Sequence, residues 1–246
     1  IPHVALQVPV EDLDAYPREW DEVPYLGGSY LPHPRPRAAY AAMITHLDKE
    51  VGAILDHLQS LGLSENTLVM FSSDNGTTWA GGVDHEFFGS TQGLSGLKGS
   101  VLEGGLRVPF IAQWPGKIKP GTVSEFPSYF PDLFPTLLAV AGQPDTRPHD
   151  GQNLVPVFQG QELLRKKDLY WEHGDQQALI SGDWKLVRRR LGKKNPTTKL
   201  FHLVKDPGET NNLATEKPEI LERLLNISKN SRFPSLVFPN SGLDLP

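Results

Sequence analysis

Ser73-Asp74-Asn75-Gly76 sets a carboxylate beside an amide. Two hard oxygen donors of this kind suit Ca²⁺ or Mg²⁺, which take roughly six to eight oxygen ligands, so the pair alone cannot complete a cage. The same run is good turn chemistry, because Asp and Asn bond their own backbone and Gly accepts positive φ. A second candidate is GLSGLKGSVLEGGLRV at residues 93–108. There Lys98 stands among glycines that let a ligand approach the backbone closely. It is either an anion-binding group or a surface cation in a flexible loop. Glu103 and Arg107 in the same stretch are spaced to pair with each other. His3 follows Pro2, His85 lies in Asp84-His85-Glu86-Phe87-Phe88, and His173 ends Trp171-Glu172-His173. Each is a candidate acid or ligand, although a lone histidine is more often a surface or satisfied core residue. His33, His46, His57, His149 and His202 have no distinguishing context.

The elements that must position these groups can be read from periodicity. Tyr40, Met43, Ile44, Leu47, Val51, Ile54, Leu55, Leu58 and Leu61 recur at helical spacing. They predict a helix from Arg37 to Leu61, stopped by Gly62 in a left-handed C′ position. Thr67–Phe71 reads as a buried strand that ends at the Asp74-Asn75 pair, and Val108–Trp114 reads as another. A helix feeding an apolar strand is the mark of an α/β sheet covered on both faces, whose ligands gather beyond the strand ends. Val4–Val8 reads as a strand end followed by a surface excursion. The glycine-rich span Thr77–Gly105 predicts a long loop, and loops of that length in compact domains are usually functional or mobile. Tyr129–Ala141 predicts a short helix. Leu169–Glu172, Ala178–Ile180, Trp184–Arg188 and Leu200–Leu203 predict short strands, with a helix over Lys217–Lys229. Together these form a small antiparallel sheet with one helical cover. Phe233–Pro246 reads as a weakly ordered tail.

Composition removes several classes. The chain has 246 residues, 24 basic against 29 acidic, for a net charge of −5. That balance gives no basis for nucleic-acid binding. The chain has no cysteine, so it holds no disulfide, thiolate nucleophile or Cys-based zinc site. No apolar run approaches the roughly 18 residues of a membrane span. Asn226-Ile227-Ser228 is a formal glycosylation sequon. The opening Ile1-Pro2-His3-Val4 reads as cut from a longer protein, so any targeting segment would lie upstream.

Seven stretches, in order, carry a family resemblance. They are PHVALQVP (Pro2–Pro9), YAAMITHLDKEVGAIL (Tyr40–Leu55), TLVMFSSDNG (Thr67–Gly76) and GLKGSVLEGGLRVPFIAQWPG (Gly96–Gly116). DLFPTLLAVAG (Asp132–Gly142), GDWKLV (Gly182–Val187) and LFHLVKDPGETNNLA (Leu200–Ala214) complete the series. Together they resemble the C-terminal half of arylsulfatase-type sulfatases, in the alkaline-phosphatase-like superfamily. The resemblance implies an α/β fold. Part of an alkaline-phosphatase-like sheet, covered by helices, would fill residues 1–164, and a small α+β subdomain residues 165–246. It implies that Asp74 and Asn75 are the second pair of ligands to a calcium ion. Lys98 would contact the sulfate group and bridging oxygen, and His3 would bind sulfate and protonate the departing alcohol. His85 and His173 are expected to touch the organic part of a carbohydrate or aryl sulfate.

The family's nucleophile is a formylglycine made in a C/S-x-P-S/A-R motif, and no such motif occurs in this chain. The formylglycine and the first metal-binding Asp pair are therefore expected in a missing N-terminal half, without which the chain should be inactive. A periplasmic, secreted or lysosomal site goes with the family. Two alternatives stand beside this reading. One is a non-catalytic binding protein derived from a sulfatase, and the other is a phosphatase or phosphodiesterase of the same superfamily.

Overall fold

The computed structural model describes residues 1–240 and 242–244, so Ser241, Leu245 and Pro246 of the expected tail lie outside the described residues. Helix α1 runs Pro36–Ser60. Pro36 at its first position needs no hydrogen-bond partner for its nitrogen. The next free N–H groups, of Arg37 and Ala38, donate to the Asp21 carboxylate, the shortest contact being 2.7 Å. A carboxylate there also meets the positive end of the helix dipole. The helix stops as the sequence predicts. Gly62 has φ +69 and its N–H donates to Gln59 O, while Leu63 N–H donates to Leu58 O. Those two bonds form a Schellman closure.

Only the first turns of α1 are buried, through Ala38, Ala39, Tyr40 and Met43. They pack on Val4, Leu6 and Leu13 from the N-terminal segment and on Val83 from the glycine-rich span. Trp20 extends this cluster edge-on to Phe87, with ring centroids 5.3 Å apart. The N-terminal segment is therefore packed, but Val4–Val8 is not a strand. A strand needs a ladder partner for its backbone, and among the described residues no neighbouring strand offers one; side-chain burial holds the segment instead.

Strands β1 (Val69–Ser72) and β2 (Phe110–Gln113) pair antiparallel, with Val69 opposite Gln113 and Ser72 opposite Phe110. Their residues are half-buried to exposed, less covered than an apolar run predicts. A single turn, α2 (Glu103–Leu106), precedes β2. Helix α3 (Leu133–Val140) follows, led by a 3₁₀ turn at Phe130–Asp132, and α4 spans Val155–Phe158.

The second sheet is a meander in the order β3 (Leu169–His173), β4 (Gln176–Ser181), β5 (Trp184–Arg189) and β6 (Thr197–His202). Alternation sorts its side chains onto two faces. Leu179, Leu186 and Leu200 meet Leu224 of α5 (Pro218–Asn230), and all four are fully buried. Ala178, Val187 and Phe201 face the other way and close on Val101. Each buried aliphatic side chain of this kind contributes about 1.5–3 kcal/mol. After α5 the chain is tied back to β3. Arg232 bonds Glu172 at 2.6 Å and Asp244 at 2.7 Å, so this part of the tail is held by ion pairs.

Candidate functional site

The chain reverses sharply after β1. Asp74 is exposed, and Asn75 is half-buried with its amide N–H donating to Gly76 O at 2.9 Å. That bond leaves Asn75 Oδ1 as a possible ligand atom beside the Asp74 carboxylate. Gly76 is buried, and a Cβ there would lie 1.9 Å from Gly104 O. Only glycine permits that approach, and it lets Gly76 N–H donate to Gly105 O at 3.0 Å.

The Lys98 loop is secured to the same turn. Lys98 N–H donates to Thr77 O at 2.7 Å, and Gly104 N–H donates to Ser95 O at 2.7 Å. The Lys98 side chain is half-buried. A metal-type oxygen pair and an amine thus leave two adjacent, mutually bonded loops. A compact anion held between a cation-binding pair and an ammonium would be stabilised at both ends.

His173 approaches this loop from the C-terminal sheet. Its Nε2 lies 3.7 Å from where a Cβ on Gly99 would sit, and Gln176 donates to Gly99 O at 2.8 Å. His3 lies in the N-terminal segment and His85 in the glycine-rich span, apart from the contacts that join the Asp74-Asn75 turn to the Lys98 loop. His3 is exposed, its Nδ1 is 2.6 Å from Val4 O, and its ring meets Tyr30 edge-on. His85 follows Asp84, which Arg37 grips at 2.7 Å. The Phe87 N–H bond, more than the Arg37 charge, holds the Asp84 carboxyl below its ordinary range.

A cavity of about 450 Å³ opens beside Asp74, walled by Leu106, Arg107, Phe110, Tyr129 and Trp171 among others. Burial pushes the Tyr129 hydroxyl up to about 12, so it stays a neutral donor and bonds Asp150 O. Among the described residues no group of three His, Asp or Glu side chains could hold a metal. Asp74 and Asn75 fit a hard divalent cation as donors but not as a complete set.

Sequence reasoning paired Glu103 with Arg107, and they do bond, at 2.7 Å. It missed their partners. Lys185, wholly buried, reaches Glu103 at 2.7 Å and Glu209 at 2.9 Å. The second contact is an ion pair outside hydrogen-bond geometry. Glu209 instead accepts the Glu103 backbone N–H at 2.7 Å through its other oxygen. Burial works against charge on both carboxyls. On Glu103, Lys185 and then Arg107 outweigh it and hold the group below the ordinary carboxylate range. On Glu209 burial wins over Lys185, and the group is pushed up. The available signal was Lys185 at an inward-facing position in Trp184-Lys185-Leu186-Val187, two residues from Val187 on the same face.

The fold is a mixed α/β arrangement with two antiparallel sheets and a C-terminal helix, and Asp74 and Asn75 follow the end of β1. The family profile described as Sulfatase matches residues 2–143, and that described as N-sulphoglucosamine sulphohydrolase, C-terminal, matches residues 97–229. The chain belongs to the sulfatase family. It is 33% identical over 236 residues to N-acetylgalactosamine-6-sulfatase of Canis lupus familiaris, covering 83% of this chain and 43% of that protein. It is 32% identical over 234 residues to human arylsulfatase A, covering 82% and 45%. The solved structure of Ps i-CgsB in complex with k-i-k-neocarrahexaose superposes with a TM-score of 0.75 at 25% identity, covering 93% of this chain and 47% of that one. The chain therefore spans less than half the length of these relatives.

Proposed function

We propose that this chain is the metal- and sulfate-binding portion of a longer sulfuric ester hydrolase, with residues 165–246 as its small C-terminal subdomain. The observation that carries the reading is the coupling of the Asp74-Asn75 turn to the Lys98 loop, through Lys98 N–H to Thr77 O and Gly76 N–H to Gly105 O. Membership of the sulfatase family supports sulfate as the anion. Asp74 and Asn75 Oδ1 would hold Ca²⁺, with further ligands from residues outside this chain. When bound, the ion supplies positive charge to the sulfuryl oxygens. The formylglycine nucleophile belongs to the same outside portion, so this chain alone releases no sulfate.

Lys98 stabilises charge that develops on the sulfuryl group. A preorganised contact of this sort is worth about 10²–10³-fold in rate. His3 gives its proton to the leaving alkoxide as a general acid. His173, beside Gly99, and His85 contact the organic portion. Relatives named N-acetylgalactosamine-6-sulfatase support a sulfated sugar for that portion.

Leaving-group dependence tests the assignment in the complete enzyme. Lys98→Ala slows sugar sulfates and nitrophenyl sulfate alike. His3→Ala slows sugar sulfates by about 10²–10⁴-fold and barely affects nitrophenyl sulfate, whose phenolate leaves unaided. Equal losses on both substrates after His3→Ala would remove His3 as the acid. Measurable aryl sulfate turnover by the isolated chain would overturn the division of the site.

A further inference from the structure

We propose that Lys185, with Glu103 and Glu209, is a buried clasp that positions the Lys98 loop for its work on the sulfuryl group. The inference rests on the role given to Lys98 above. It begins from an anomaly of composition. Lysine is almost never fully buried unless paired, and Lys185 is 0% exposed, the second residue of β5, between Trp184 and Leu186 and on the same face as Val187. It lies on the sheet face that meets Val101 and α2. From there it holds two carboxylates that are distant in sequence and both buried.

Backbone strain points the same way. Glu209 has φ +55, a left-handed conformation that costs a non-glycine residue. Such conformations persist where the surroundings over-determine them, and they collect at functional positions. The strained turn aims the Glu209 carboxylate inward at the Glu103 N–H. Beside it, Ser95 Oγ donates to Gly208 O at 2.6 Å, so the same turn grips the Lys98 loop at a second point.

Glu103 is the hub of these connections. Its backbone is held by Glu209, and its carboxylate by Lys185 and Arg107. The next two residues complete the link to the site: Gly104 N–H bonds Ser95 O, and Gly105 O receives Gly76 N–H. A Cβ on Gly104 would fall 2.3 Å from Gly96 O, and one on Gly105 would fall 2.2 Å from Ser100 O. The loop is thus a close-packed backbone coil, with Leu102 N–H donating to Ser100 Oγ at 3.1 Å from within. It is also tied from outside, at Val101 by apolar contact and at Glu103 by charge. An apolar replacement for the ion cluster could be as stable, because buried ion pairs rarely add net stability. It would lack the directed bonds that fix where Glu103, and through it residues 95–105, must sit. Misplacement of a catalytic group by about 1 Å can cost about 10²-fold in rate.

The test uses Lys185→Met/Glu209→Gln, which removes the cation together with one carboxylate and leaves Glu103 paired with Arg107, so that the fold survives. Hydrogen exchange on this chain should quicken at least about tenfold at the amides of Lys98 and Gly104, while amides of β3–β6 keep their protection. Unchanged exchange in residues 95–105, or an equal rise throughout the chain, would overturn the proposal. In the complete enzyme the double variant should lower kcat by about 10²-fold with little change in KM, the loss expected of a misplaced group. Adding Lys98→Ala to it should then cost less than about threefold, because groups acting as one unit are non-additive. Losses that multiply would show that the clasp does not act through Lys98. If Lys98→Ala alone leaves turnover intact, the sulfate role of Lys98 fails instead, and the exchange measurement still decides whether the clasp orders the loop.

Discussion

The two sheets are finished to different degrees. In β3–β6, Leu179, Leu186 and Leu200 are fully buried under α5, and Val187 and Phe201 are closed on the opposite face. In β1–β2, Ile111 is 62% exposed, and on helix α1, which precedes β1 in the chain, Ile54 is 59% exposed. The candidate chemistry lies on the less finished side. Asp74, Asn75 and Lys98 sit on turns whose own hydrophobic support is thin, and their order comes from hydrogen bonds to α2 and from ion pairs that α2 makes with the C-terminal sheet. One region supplies a closed core, and the other presents polar groups on glycine-rich backbone braced against it.

The largest effect expected from this contrast is at the junction. Lys185→Met alone leaves Glu209 buried beside a strained turn with no cation, and breaking a buried pair this way costs about 3–5 kcal/mol. Urea unfolding of the chain should show the midpoint fall accordingly, and Lys185→Met/Glu209→Gln should recover a large part of it. An unchanged midpoint for the single variant would mean that the junction carries no energy.

A smaller difference separates the two hydrophobic regions. Leu186→Ala opens a cavity in a sealed layer and should cost about 2–5 kcal/mol. Ile54→Ala, on the exposed face of α1, should stay within about 0.5 kcal/mol. Similar losses at both positions would remove the distinction between a finished and an unfinished core.

The finest comparison is inside the clasp. Glu103 has a depressed pKa, so its contribution is complete above the unfolded carboxyl value of 4.5 and is lost as pH falls through its lower folded value. Glu209 has a raised pKa, so the fold disfavours its charge, and stability declines as pH rises from 4.5 through its folded value. The destabilisation caused by Glu103→Gln should therefore grow between pH 4 and pH 7, whereas that caused by Glu209→Gln should shrink. Urea titrations at the two pH values read both slopes, and slopes of the same sign would break the assignment.

Periodicity alone determined much of this protein. The 3.6-residue repeat and Gly62 placed α1 and its Schellman stop. Short runs separated by turn residues marked the four strands of the meander, and the apolar run of Thr67–Phe71 delivered Asp74 and Asn75 to a strand end. These features are local, because the information that fixes them lies within a few residues. Tertiary structure decided the rest. Val4–Val8 has strand composition but no ladder partner, which no local pattern reveals. β1 is apolar yet only half-covered, because burial depends on what packs over a strand and not on its own residues. Lys185 meets Glu103 across 82 residues, and Glu103 meets Glu209 across 106. A charge placed on the inward face of a strand announces that it needs a partner. Which carboxylates answer it is settled only when the chain closes and the cost of leaving an ion unpaired in the interior selects the neighbours.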